Sequence, residues 1–121
     1  MTAPSRLPLA VKFLILLVCL GVLAWLSLAP TDELPKVNLW DKFEHACAYA
    51  VLTVVASLLF PHRLVRVVAG CMAFGIFIEV LQATMGFGRD GDWHDAVANA
   101  SGAAVIVGSI LLHRRFRRAS A

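Results

Sequence analysis

The chain has 121 residues, of which 60% are hydrophobic and 16% are charged, with a formal net charge of +3. Its mean hydropathy is +0.77. Soluble domains are about 45–50% apolar and about 25% charged, so this composition excludes an ordinary soluble domain. The length allows one domain. The apolar residues form blocks of roughly the 20 residues that a bilayer span needs, which predicts an integral membrane protein.

Four apolar blocks in succession predict four transmembrane helices. The predicted spans are residues 8–29, 40–60, 64–86 and 93–112. Pro61 separates the second block from the third, because proline cannot continue a helix. Helices satisfy their own backbone hydrogen bonds in hydrocarbon, so the predicted fold is an all-α membrane protein, a bundle of four transmembrane helices.

The first block has a second interpretation, as a cleavable signal peptide. A basic residue, Arg6, precedes it, and it ends in a small-x-small pattern from Ser27 to Ala29. However, the apolar run is longer than the usual signal-peptide core of about 7–15 residues, and Pro30 directly follows the candidate cleavage site. We therefore predict that the first helix is retained.

The basic residues predict the orientation of the bundle. Eight of the 11 lysines and arginines lie at the two termini and beside the Pro61 turn: Arg6, Lys12, Arg63, Arg66, Arg114, Arg115, Arg117 and Arg118. The positive-inside rule then places both termini and this turn in the cytoplasm. All eight acidic residues would lie in the outer half. Topology thus explains the basic character, and no nucleic-acid partner is expected.

The second and third helices each present polar residues on one face. Asp41, His45 and Tyr49 are spaced i, i+4 and i+8, although Asp41 also suits a helix cap, and Lys42 beside it is near enough to reach the headgroups. Glu79 and Gln82 are i, i+3 neighbours. Glu79 lies about 10 Å deep, where a carboxylate must be paired, protonated or exposed to a water-filled cleft.

The fourth helix carries a polar stripe. Asp92, Asp95, Asn99 and Gly102 follow at steps of three, four and three residues. Asp92 would interact favourably with the helix dipole. The small-xxx-small pairs ending at Gly102 and Gly108 predict close helix packing, which makes both glycines structural candidates.

Three helices therefore offer polar faces at the same outer level, which predicts a small cavity that opens outward. The catalytic candidates are Glu79, as general acid or base, with His45, Asp92 and Asp95. The substrate-binding candidates are Asp41, Lys42, Tyr49, Gln82, Arg89 and Asn99. Arg89 suits a two-pronged clamp on a phosphate or carboxylate, or it pairs with Asp92 or Asp95 and fixes the loop.

The same residues leave a metal as an alternative. Asp41, His45, Glu79, Asp92 and Asp95 would form an oxygen-rich site with one imidazole, suited to Mg²⁺, Mn²⁺ or Zn²⁺. No HExxH-type motif is present, and the sequence requires no cofactor. The three cysteines form neither a CxxC pair nor an even disulfide set.

At these residues the sequence resembles the VanZ-like membrane proteins, a family named for a protein linked to teicoplanin resistance. The resemblance covers about residues 38–110 and is carried by "DKFEHACAYAVL", by "EVLQ" and by Arg89, Asp92, Asp95, Asn99 and Gly102. It implies a single VanZ-like domain over residues 1–121, in the bacterial cytoplasmic (inner) membrane. It also implies cell-envelope chemistry on a lipid-linked or anionic substrate, but it supplies no reaction.

Two other function classes remain open. A small transporter, lipid-handling protein or regulatory subunit would use the carboxylates without catalysis. The runs "VLTVVASLLF" and "AAVIVGSILL" predict inner halves without buried polar residues, so a through-pathway would need a homo-oligomer. In the third class, the polar faces only lock the bundle together.

Overall fold

The computed structural model describes residues 6–28, 38–85 and 91–121, with the side chains of residues 38–41 left out of the description. It contains four helices and, within those ranges, no strand: α1 (Leu9–Leu28), α2 (Asn38–Leu59), α3 (Leu64–Met85) and α4 (Trp93–Ala119). Each helix is long and apolar enough to cross a membrane. The prediction of an all-helical protein with four helices, each able to span a membrane, is therefore confirmed. The helix bounds agree with the predicted spans to within two residues except at the end of α4.

The fourth helix extends beyond its predicted end. It continues through "HRRFRR" to Ala119, whereas hydropathy placed its end near residue 112. At 1.5 Å per residue its 27 residues extend over roughly 40 Å, more than a hydrocarbon core requires. Charged residues do not break a helix, and Arg117 and Arg118 in its last turn interact favourably with the terminal carbonyls.

The helix α4 packs most extensively on α2 and next on α3, while α1 lies against α2 and α3. The core contains Tyr49, Leu52, Ala56, Val67, Cys71 and Ala103. No residue of α1 is buried. The seam between α2 and α4 is thus the centre of the fold, and α1 lies at its side.

Two glycines of the predicted packing motifs differ sharply. A Cβ on Gly102 would overlap the Ala46 carbonyl group, so the close approach of α4 to α2 requires glycine there. The prediction for Gly108 needs correction, because it is exposed and a Cβ there would meet nothing within 4 Å. The Ala104/Gly108 pair faces away from the other helices of this chain.

The two ends of the bundle carry opposite charges. One end, which we call the acidic end, holds the start of α2, the end of α3 and the start of α4, with Glu44, Glu79, Asp92 and Asp95. The other, the basic end, holds the Pro61 turn and the end of α4, and its described charged residues are arginines and Lys12. Among the described side chains, Lys42 is the only lysine or arginine at the acidic end.

Candidate functional site

Lys42 joins the second helix to the start of the fourth. Its Nζ lies 3.1 Å from Asp92 Oδ2 and 3.0 Å from Asp95 Oδ1. The Lys42 and Asp92 side chains are about one-third exposed, whereas that of Asp95 is nearly buried. Lys42 therefore neutralises charge within the protein, and a contact of Lys42 with headgroups or an anionic substrate would compete with these two bonds.

His45 lies about one turn along α2 from Lys42 and faces the polar stripe of α4. Its Nδ1 is 3.2 Å from Asn99 Oδ1, and its Nε2 is 3.9 Å from Asp95 Oδ2. With the amide oxygen of Asn99 facing it, the Nδ1 of a neutral imidazole would carry the proton and Nε2 the lone pair. The contact with Asn99, which is 1% exposed, thus fixes the orientation of the His45 ring.

Glu79 places a carboxylate beside these groups from the third helix. It is 7% exposed, and its Oε2 accepts a hydrogen bond from the Asp92 backbone N–H at 3.0 Å. Its Oε1 is buried and has no hydrogen-bond partner among the described residues. Glycine at position 91 permits this contact, since a Cβ there would lie 2.6 Å from the Glu79 carbonyl oxygen.

Asp92 is the N-cap of α4. Its Oδ1 accepts a hydrogen bond from the His94 backbone N–H at 2.9 Å and lies 2.7 Å from His94 Nδ1. These bonds to His94, together with the bond from Lys42, hold the pKa of the Asp92 carboxyl well below its usual range. Asp92 therefore stays ionised and fixes the start of the helix, as the predicted dipole interaction requires.

Two predicted substrate-binding residues lie deeper or face elsewhere. Tyr49 is 2% exposed, and its hydroxyl has no hydrogen-bond partner among the described residues. Gln82 donates from Nε2 to the Ser27 carbonyl of α1 at 2.8 Å. This observed contact of Gln82 attaches α1 to the bundle, so a substrate contact for it remains a prediction.

The remaining predicted residues fall outside the description. The side chain of Asp41 and the whole of Arg89 are not described, so the arginine clamp stays a prediction. The suggestion that Asp41 caps α2 needs correction, because the helix already begins at Asn38 and Asp41 lies within its first turn. The described site therefore consists of Lys42, His45, Glu79, Asp92, Asp95 and Asn99, with Tyr49 below them. It joins residues of α2, α3 and α4 as the helical phases predicted.

Sequence reasoning missed polar groups in the other half of the bundle. Thr53 is fully buried and donates to the Tyr49 carbonyl at 2.6 Å, while Ser57 is 5% exposed with a hydroxyl that lacks a described partner. The expectation of purely apolar inner halves was therefore wrong. The available signal was spacing, since both residues continue the steps of four from His45 and Tyr49 along α2.

The charge of the site limits what it can bind. Three carboxylates, on Glu79, Asp92 and Asp95, face one ammonium, on Lys42, so with Glu79 ionised and His45 neutral the formal charge is −2. His45, Glu79 and Asp95 each offer a ligand atom, and these atoms lie within 4.8 Å of one another. The described groups alone suit a cation or proton transfer, and they do not suit the binding of an anion.

No protein-family model, curated protein or solved structure matches the chain. The resemblance to VanZ-like proteins therefore rests on the residues quoted for it.

Proposed function

We propose that the chain is a multi-pass protein of the bacterial cytoplasmic membrane that binds or modifies a lipid-linked or anionic cell-envelope substrate. Both termini lie in the cytoplasm, and the acidic end faces outward. The VanZ-like resemblance further links this activity to glycopeptide (teicoplanin) resistance. The positive-inside rule supports the orientation, because the arginines concentrate at the basic end.

The observation that carries the proposal is the burial of the acidic groups. Glu79 and Asp95 are each 7% exposed and meet His45 where three apolar helices end. Ionisable residues in membrane segments are costly, and they usually mark substrate or ion pathways. The site lies a short distance below the ends of these spans, so the substrate expected there is a lipid headgroup or a lipid-linked group that reaches into it.

The residues divide into two groups by their contacts. His45, Glu79 and Asp95 form the centre of the site, where a substrate or cation would be engaged. Lys42, Asp92 and Asn99 hold these groups in place through the bonds described above. Arg89 is the candidate for a direct contact with a phosphate, because its guanidinium binds such groups with two parallel hydrogen bonds.

The proposal is tested by separating folding from function. The variants Glu79→Gln, Asp95→Asn and His45→Ala are expressed in a host whose glycopeptide sensitivity depends on the protein. Glu44→Gln is the matched control, since Glu44 is an exposed acidic residue at the same end. We expect the three variants to reach normal folded abundance in the membrane and to lose the phenotype, while the control retains it.

A purely structural role, in which the polar residues only hold the helices together (a bundle lock), is the competing explanation. It requires abundance and phenotype to fall together in all three variants. Normal abundance with a normal phenotype would instead exclude both the lock and the proposed site.

A non-enzymatic transporter is a second candidate, and one observation favours it. Tyr49, Thr53 and Ser57 continue the polar face of α2 below His45, and the buried hydroxyls of Tyr49 and Ser57 lack described partners. Buried polar chains of this kind serve proton relays in transporters. Ser57→Ala separates the candidates, because it would abolish proton-coupled transport and leave an outer-leaflet binding function unchanged.

A further inference from the structure

We propose that His45, Glu79 and Asp95 bind a divalent transition-metal ion, such as Zn²⁺ or Mn²⁺. The binding itself stands on the geometry of these three residues. The further step, in which the bound metal ion binds an anionic substrate, rests on the proposed function. An imidazole with two carboxylates is a donor set that both metals accept.

Three helices bring the donor atoms together. One ligand atom each from His45 on α2, Glu79 on α3 and Asp95 on α4 lie within 4.8 Å of one another. Ligand atoms bound to one ion at about 2.1 Å stand about 3.0–3.5 Å apart, so small side-chain movements close the site. Three protein ligands leave further coordination positions for water or substrate, as in catalytic metal sites.

The surrounding hydrogen bonds prepare the ligands for a cation. Asn99 Oδ1 accepts from His45 Nδ1, which directs the lone pair of Nε2 toward Asp95 Oδ2, 3.9 Å away. The other oxygen of Asp95 is held by Lys42 at 3.0 Å. Metal-binding histidines and carboxylates are typically oriented in this way by their neighbours.

An orphaned oxygen supplies independent evidence for a ligand. Glu79 is more than nine-tenths buried, and its Oε1 has no hydrogen-bond partner among the described residues. Leaving a carboxylate oxygen buried and unpaired is costly. A cation bound by the Glu79 carboxylate would compensate for the unpaired oxygen and offset the excess negative charge of the site.

The cation would also explain how a negatively charged site engages an anion. The described groups carry three carboxylates against the single ammonium of Lys42, so they repel a phosphate. A divalent ion brings the formal charge from −2 to zero. Its open coordination positions would then accept a phosphate oxygen of a lipid-linked substrate.

The test measures metal in the purified full-length protein without any substrate. Chelator-treated protein is titrated with Zn²⁺ or Mn²⁺ and followed by its melting temperature and by elemental analysis. We expect one ion per chain and a higher melting temperature in the wild type and in Glu44→Gln. Glu79→Gln and His45→Gln should lose the stoichiometric ion, and Asn99→Ala should bind it about 10–100-fold more weakly.

A second measurement covers the case in which a ligand variant fails to fold. X-ray absorption on the Zn²⁺-loaded wild type should show one imidazole and otherwise oxygen ligands. A sulfur ligand would point to the cysteines and overturn the site, as would a stoichiometric ion retained in both ligand variants, or no ion in the wild type. A bound ion with an unchanged envelope phenotype in the variants would keep the metal site and exclude only the proposed function.

Discussion

At the basic end of the bundle, Arg63, Arg66 and Arg115 are exposed, whereas at the acidic end Glu79 and Asp95 are each 7% exposed. Among the described contacts, the basic end has one side-chain hydrogen bond between helix-end segments, from Arg114 to the Pro61 carbonyl at 2.8 Å. The acidic end is linked by direct bonds from α2 to α4 and from Glu79 of α3 to the backbone of Asp92.

The difference indicates that the two sets of charges have different roles. Exposed arginines at span ends interact with headgroups and set the orientation, for which their mutual geometry is unimportant. Buried carboxylates are costly in a membrane, and their positions depend on one another. The loss of a helix–helix contact should therefore have a larger effect on stability at the acidic end than at the basic end.

The largest effect is expected where the helices of the acidic end meet. Gly102→Leu places a side chain against the Ala46 backbone, which cannot shift without separating α2 from α4. Overpacking typically lowers the free energy of unfolding by about 1–3 kcal/mol. Because the new side chain would meet backbone, the loss here should be at or above the top of that range. Folded abundance and melting temperature should both fall. Gly108→Leu, which enters open space, should leave both unchanged.

Removal of the Lys42 ammonium should have the next largest effect. Lys42→Met leaves the nearly buried Asp95 without its closest cation, in a pair that is neither fully exposed nor fully buried. Unfolding free energy should fall by about 1–2 kcal/mol, between the values for surface and buried pairs. Arg115→Gln at the basic end should change it by less than about 0.5 kcal/mol. Equal effects at the two ends would show that the acidic and basic residues do not differ in their roles.

The smallest effect concerns the cap of α4 and its dependence on pH. Because His94 and Lys42 lower the pKa of Asp92 in the folded protein, its ionised form stabilises the fold above the unfolded pKa of about 3.9. This contribution is lost as pH falls through the lower folded value. Asp92→Asn keeps a capping oxygen, so the wild type should melt slightly higher at pH 7. Melting curves from pH 7 to pH 2 should show this difference shrink below about pH 4.

Hydropathy and helical phase account for most of what the sequence predicted. The apolar blocks predicted the positions of the helices, because a helix that crosses hydrocarbon satisfies its own backbone and must present apolar side chains to the lipid. The steps of three and four residues placed Asp95 and Asn99 on one face of α4, the face that meets His45. Neither signal depends on which helices are neighbours, so both can be read from one segment at a time.

Other features depend on how the helices rotate against each other, which one segment does not determine. Gln82 shares a face with Glu79, yet it donates to Ser27 of α1. Gly108 belongs to a small-xxx-small pair that faces away from the bundle. Thr53 stands within an apolar run of the sequence, and its burial depends on which helix faces it. Its hydroxyl bonds to its own helix at the Tyr49 carbonyl, as hydroxyls in helices often do.

The melting temperature of purified Glu79→Gln tests most directly whether the acidic end is a ligand-binding site or only holds the helices together. The glutamine oxygen can accept the Asp92 N–H, its amide group can donate where Oε1 now lacks a partner, and a buried charge is removed. We therefore predict a melting temperature equal to or above that of the metal-free wild type, in a variant that has lost the envelope phenotype. A clear fall in melting temperature would show that the Glu79 charge holds the bundle together, and it would contradict a site built for a ligand.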